Sequence, residues 1–133
     1  MDAAVFGMTD WDSWLAVDLP GGGTFELPAV AAEPRAGTGI DSAAREFTGA
    51  GLSVLVDRGP FAGTPAGHES APEYVERTVL IDGLAAVIAT YRDSGDRVLA
   101  ARIPDSGNLT VVVRSRDPVP PDVAERIVFS VRR

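Results

Sequence analysis

A chain of 133 residues, 45% hydrophobic and free of cysteine, has enough length for one hydrophobic core and too little for two, so a single globular domain over 1–133 is expected. Without cysteine there are no disulfides, thiolate nucleophiles or iron–sulfur ligands, and with all twelve basic residues arginine there is no P-loop lysine, Schiff base or lysine general base. The net charge of −7 opposes a nucleic-acid groove, and the longest apolar runs are far shorter than the roughly 20 residues of a membrane-spanning helix.

The opening residues, Met1 to Asp10, show no basic stretch followed by an apolar one. That pattern predicts no signal peptide and a cytoplasmic chain as it stands, although a trimmed mature form of an exported protein would read the same. Phe6, Met8, Trp11 and Trp14 make this end aromatic, which predicts cover for an edge or face of a sheet, with a partner's surface as the alternative. Ser13 to Leu19 alternates as a strand, "PGGG" at Pro20 to Gly23 interrupts it, and Thr24 to Leu27 follows as a second extended piece, together an N-terminal strand ribbon.

Pro28 to Gly39 has no sustained period and reads as a surface connection. Ile40 to Thr48 reads either as a short helix begun at Asp41 or Ser42, or as a strand from Arg45 that pairs across "GAG" with Leu52 to Val56; the strand is preferred for its second half. Leu52, Val54 and Val56 share one face of that second strand. Asp57 to Pro72 then forms the longest loop, with three glycines and three prolines, where a site is most naturally sought.

From Glu73 the pattern predicts a four-strand antiparallel meander: Glu73 to Ile81, Leu84 to Tyr91, Arg97 to Ile103 and Leu109 to Ser115. Asp82-Gly83 is a strong hairpin signal, because glycine takes a positive φ without steric cost. Leu84 to Tyr91 is apolar on both faces, which predicts a central strand covered on both sides, and its alanines predict a closely approaching layer. In "PVPPDVAERIVFSVRR", Asp122 and Glu125 have capping-box spacing, while Val123, Ile127 and Val128 share a face, so about two turns of helix should pack on the sheet. Phe129 to Val131 reads as a last strand or a helix end. The fold class expected is therefore α+β: a central antiparallel sheet of about six to seven strands, the ribbon, and a short C-terminal helix.

Few residues offer chemistry. His68 is the sole histidine, an imidazole base for which folding could bring up Ser70, Ser42, Asp41 or Asp57 as partners, yet no G-x-S-x-G elbow accompanies it. No histidine or carboxylate spacing predicts a metal site, and neither "GGG" nor "GAG" continues into a dinucleotide fingerprint, so no cofactor is expected and both read as turns. Arg114 and Arg116 alternate onto one strand face with Arg102 in the same meander, a candidate surface for a carboxylate or phosphate. The charge is uneven: residues 1–91 hold 4 arginines against 13 acids, and residues 92–133 hold 8 against 6, which would suit an acidic partner at the C-terminal part. Asn108-Leu109-Thr110 is a glycosylation sequon only in a eukaryotic secretory setting.

The stretches "DLPGGGTFELPA", "LIDGLAAVIATY" and "PPDVAERIVFSVR" resemble the PsbP-like group of small bacterial and plastid proteins, over about the last sixty residues and a short piece near the start. The resemblance implies an α/β/α sandwich and non-enzymatic work as an accessory or binding protein, often exported or lipid-anchored. This chain departs from it in having no lipobox cysteine and no clear long helix between Pro28 and Thr48. The functional expectation is a non-enzymatic binding or accessory domain of bacterial type, engaging a protein or small-molecule ligand through the Gly59 to Pro72 loop with His68, or through Arg102, Arg114 and Arg116. The alternative is a small hydrolase or ligand-converting enzyme using His68 with Ser70 or Asp57. An exposed sheet edge also allows a homodimer.

Overall fold

The computed structural model describes residues 10–35, 43–59, 70–117 and 119–133. The fold is α+β. Strands β1 (Trp14–Asp18) and β2 (Thr24–Pro28) form the ribbon, and β3 (Glu33–Arg35), β4 (Ala43–Gly49), β5 (Leu52–Arg58), β6 (Val75–Ile81), β7 (Leu84–Asp93), β8 (Asp96–Ile103) and β9 (Leu109–Ser115) form an antiparallel sheet in the order β3-β4-β5-β9-β8-β7-β6. The helix α1 (Asp122–Phe129) closes the chain.

Three hairpins close through the same device. Ala50-Gly51, Asp82-Gly83 and Ser94-Gly95 each place two residues at positive φ, 53° and 83°, 51° and 78°, 52° and 86°, between paired residues Gly49 and Leu52, Ile81 and Leu84, and Asp93 and Asp96. Both central residues at positive φ define the turn whose twist matches that of the strands it joins. Register follows from these turns, and with it which side chains meet the core.

One sheet face is dry. Val54, Val113 and Leu99 lie side by side across β5, β9 and β8, as do Val56, Val111 and Ala101 one pleat further on, and all are buried. Over them lie Phe25 and Leu27 of β2 and Val123, Ile127 and Val128 of α1. Phe25 meets Phe47 edge-on at 5.8 Å. The layer is stitched to itself: Thr24 and Arg132 exchange both backbone hydrogen bonds, at 2.9 and 2.8 Å, and the Ser130 hydroxyl accepts from the Glu26 amide at 2.7 Å. Trp14 packs against the same layer, with the Arg126 guanidinium 3.9 Å above its ring, while Phe6 and Met8 fall outside the described residues.

Several expectations change. Pro28 to Gly39 is not simply a connection: Ala29–Ala31 makes one 3-10 turn and β3 pairs with Glu46, Phe47 and Thr48 of β4. Three residues are too few to show a period, and Pro34 is tolerated because β3 is an edge strand. Residues from Ala43 onward are strand, so a helix over that half does not form; 36–42 lie outside the described residues. β7 is next to the β6 edge and β9 holds the centre; Ala85 on the second face of β7 is exposed, so that strand is not fully covered on both sides. Asp122 is not the helix cap. Pro121 takes that position, no side chain caps it, and Asp122 with Glu125 lies in the first turn, where their charge complements the helix dipole. Phe129 ends the helix, and beyond it Arg132 forms a single bridge to Thr24 rather than a strand. Among the described residues no helix is long and apolar enough to cross a membrane, and only one α-helical layer is present.

Candidate functional site

On the covered face the rows of apolar residues end in a row of different chemistry. Arg92 of β7 stands directly opposite Arg97 of β8, and Arg97 opposite Ser115 of β9. Both arginines occupy the parity of the core: Arg97 is in phase with Leu99, Ala101 and Ile103, and Arg92 with Ala86, Ile88 and Thr90. The N-terminal turn of α1 stops short of this row. Between the turn and the sheet a groove of about 490 Å³ remains, with Leu99, Thr90, Ser115 and Arg97 among its sheet-side residues and Pro121, Asp122 and Glu125 on the helix side.

Like charges placed opposite each other on neighbouring strands repel, so each arginine needs an acceptor. Arg92 has one: its Nε donates to Glu73 Oε2 at 3.0 Å, and its Nη1 reaches the Gly95 carbonyl. Glu125 is likewise matched, accepting from Arg77 Nη2 of β6 at 2.6 Å. Arg97 differs. Its Nη2 donates to the Val119 carbonyl, and among the described residues its Nε is buried without an acceptor and no carboxylate pairs with it. Among the described residues, the donors left for an acceptor entering the groove are those of Nη1 and the second Nη2 hydrogen, at the planar end of the guanidinium that suits a two-oxygen acceptor.

The residues singled out from the sequence are distributed differently. Arg114 and Arg116 line a second cleft of about 430 Å³ at the β4–β5 turn, but both are engaged. Arg114 donates to Asp93 at 2.8 Å and to Asp96 at 3.4 Å, and Arg116 to Asp96 at 3.2 Å; the Asp93 hydrogen bond raises the Arg114 pKa above its ordinary value. Arg102 is not beside them. It lies opposite Thr110, four residues along β9 from Arg114, about 13 Å away along the strand, and its Nε donates to Asn108 Oδ1 at 2.9 Å.

Asp57 shares the Thr110 row with Arg102, on the less covered sheet face, with β9 between them. Its Oδ1 is buried and accepts no hydrogen bond from the described residues. Ser70 is exposed and precedes Pro72, whose carbonyl accepts from the Arg92 amide. That is the opposite end of the sheet, so Asp57 and Ser70 are not brought together. His68 lies outside the described residues. Among the described residues no group of three or more histidine, aspartate or glutamate side chains is arranged to hold a metal ion.

Sequence reasoning passed over Arg92 and Arg97, although a signal existed. In "DRVLAARI" an arginine takes the buried parity of a strand, a placement that charged side chains avoid unless something compensates. Compared with known proteins, the chain matches no family model, no curated sequence and no solved structure.

Proposed function

We propose that this chain is a non-enzymatic binding or accessory domain, the role that the PsbP-like resemblance implies, and that its ligand is a small molecule whose carboxylate meets Arg97 in the groove beneath α1. The observation that carries the reading is Arg97 itself: a cation on the core parity of its strand, beside Arg92, with a backbone carbonyl as its acceptor. The pairs Arg92–Glu73 and Arg77–Glu125 cancel. They leave Arg97 and the exposed Asp122, and the helix dipole accounts for Asp122. A volume of about 490 Å³ suits a compact ligand, since small-molecule sites span about 300–1,000 Å³. A carboxylate there completes a charge-assisted, two-point contact and relieves the repulsion between the two arginines.

Native mass spectrometry of freshly purified protein, followed by thermal shift against a panel of small carboxylates, tests the proposal. The wild type should carry a stoichiometric extra mass or gain Tm with a subset of the panel, and Arg97→Leu, which extends the apolar row and so preserves the fold, should do neither. An Arg97→Leu protein that responds as the wild type does would refute this site.

The second part of the proposal is assembly of two copies through a sheet edge. It is supported by the open margins of the seven-stranded sheet, of which β6 is the longer.

A further inference from the structure

The two margins of the sheet are unequal. β3 is three residues long and contains Pro34, a blunt edge that offers little to a partner strand. β6 is seven residues long, contains neither proline nor glycine, and exposes Leu80 by 69% and Val75 by 58%. Among the described residues it pairs only with β7, so its outer row of backbone donors and acceptors is open. A long edge of this kind is a template for one more strand.

We infer that the added strand is β6 of a second copy of this chain, antiparallel about a two-fold axis through Thr78. This inference specifies the edge and register of the assembly proposed above and rests on that proposal. The register follows from charge. A two-fold axis perpendicular to the sheet pairs residues of equal parity, because each sheet face continues across the junction. An axis at Glu76 sets two glutamates opposite each other, an axis at Arg77 sets two arginines opposite, and an axis at Val79 sets Glu76 opposite Asp82 of the second copy; each of these is destabilising. Only the axis at Thr78 uses the whole strand without such a clash. It places Val75 against Ile81, Glu76 against Leu80 and Arg77 against Val79 of the second copy, and Thr78 against its own counterpart, a favourable cross-strand pair.

The helix layer supports the same register. Arg77 is bound to Glu125 of α1 at 2.6 Å, so the two arginines that approach diagonally across the axis each bring a carboxylate. The junction gathers two cations and two anions on the covered face, while Leu80 and Val75 lose their exposure to water. Such an interface, built on one strand pair and a small apolar area, predicts a concentration-dependent dimer.

The chain contains no cysteine, which makes position-specific cross-linking clean. Directly opposed Cβ atoms on paired strands lie about 4.5–5.5 Å apart, near enough for a disulfide after a small adjustment. Thr78→Cys should therefore form a linked dimer under mild oxidation about tenfold faster than Glu76→Cys, whose sulfur faces Leu80 of the second copy. Sedimentation equilibrium of the cysteine-free wild type should show a dimer by about 100 µM, and Thr78→Lys, which opposes two like charges, should weaken it about tenfold. A dimer in which Thr78→Cys has no advantage over Glu76→Cys overturns the β6 register while leaving edge assembly standing. A wild type that stays monomeric overturns both.

Discussion

Asp93 and Asp96 stand directly opposite each other across the β7–β8 hairpin, two carboxylates in the position where like charges repel most. Arg114, reaching from β9, donates to both, at 2.8 and 3.4 Å, and Arg116 adds a contact to Asp96 at 3.2 Å. The hairpin turn Ser94-Gly95 is thus closed under a guanidinium. The two arginines that look from the sequence like a ligand surface serve here as counter-ions.

Removing that counter-ion should therefore cost more than an isolated surface pair and be repaired by removing the repulsion. Arg114→Ala should lose about 1 kcal/mol, a modest figure because the pair is partly exposed and screened. Adding Asp93→Asn should recover most of it. Urea denaturation of the two single variants and the double variant measures this coupling, and additive losses would argue against the arrangement.

Arg58 acts similarly on a larger scale. Its Nη1 donates to the Pro20 and Gly22 carbonyls, each at 2.6 Å, its Nε to the Ser106 carbonyl at 2.9 Å and its Nη2 to Ser106 Oγ at 3.1 Å. One side chain ties the ribbon turn to the β8–β9 turn, and a Cβ at Gly21 or Gly107 would come within 3.0 or 3.1 Å of its Cδ. Burial lowers the Arg58 pKa from its ordinary value. Arg58→Met, which keeps the stem and loses the donors, should cost about 2 kcal/mol in denaturant unfolding. It should also speed hydrogen exchange at the two turns before the rest of the sheet.

Two glycines should respond to very different degrees. A Cβ at Gly49 would lie 2.0 Å from the Val30 carbonyl oxygen, so Gly49→Ala must push the 3-10 turn off β4 and should cost about 2–3 kcal/mol. Gly95, at φ +86° with nothing within 4 Å of the added atom, needs only a residue that tolerates that backbone. Gly95→Asn should change stability by less than about 0.5 kcal/mol. Thermal unfolding of both variants checks the contrast.

Asp82 holds Arg133, accepting from its amide at 2.9 Å and from its Nε at 3.0 Å. These hydrogen bonds, the amide's first, hold the Asp82 pKa below its ordinary value of 3.8. The native state therefore binds the Asp82 proton less readily than the unfolded chain does. The stabilisation is present above 3.8 and is lost as pH falls through the lowered folded value. Asp82→Asn keeps a residue suited to the positive φ of 51° and removes the titration. Its Tm should fall less steeply than that of the wild type as pH drops below about 4.

The hairpins were legible because their turns are local: two residues at positive φ fix the register of everything flanking them, and Asp82-Gly83 announces this in sequence. The ribbon and the apolar face of α1 were legible for the same reason. β3 was not, since three residues around Pro34 acquire strand character only from pairing with β4. Asp122 and Glu125 have capping-box spacing, but Pro121 holds the cap position and the helix starts at Asp122, which a spacing rule does not see. The ion pairs were hidden by distance along the chain. Arg77 and Glu125 are 48 residues apart, as are the hydrogen-bonded Arg58 and Ser106, and only the tertiary fold brings each pair together. Arg97 carried a signal as an arginine on a core parity, but the groove beside it depends on where α1 packs and has no counterpart in the local sequence.

The most direct test of the central claim is an amide NMR titration of the wild type with the small carboxylates that raise its Tm. Binding in the groove predicts saturable shifts concentrated at Thr90, Arg97, Ser115 and Asp122, absent in Arg97→Leu. Saturable shifts centred instead on Arg102 and Thr110, or on Arg114 and Arg116, would contradict the account.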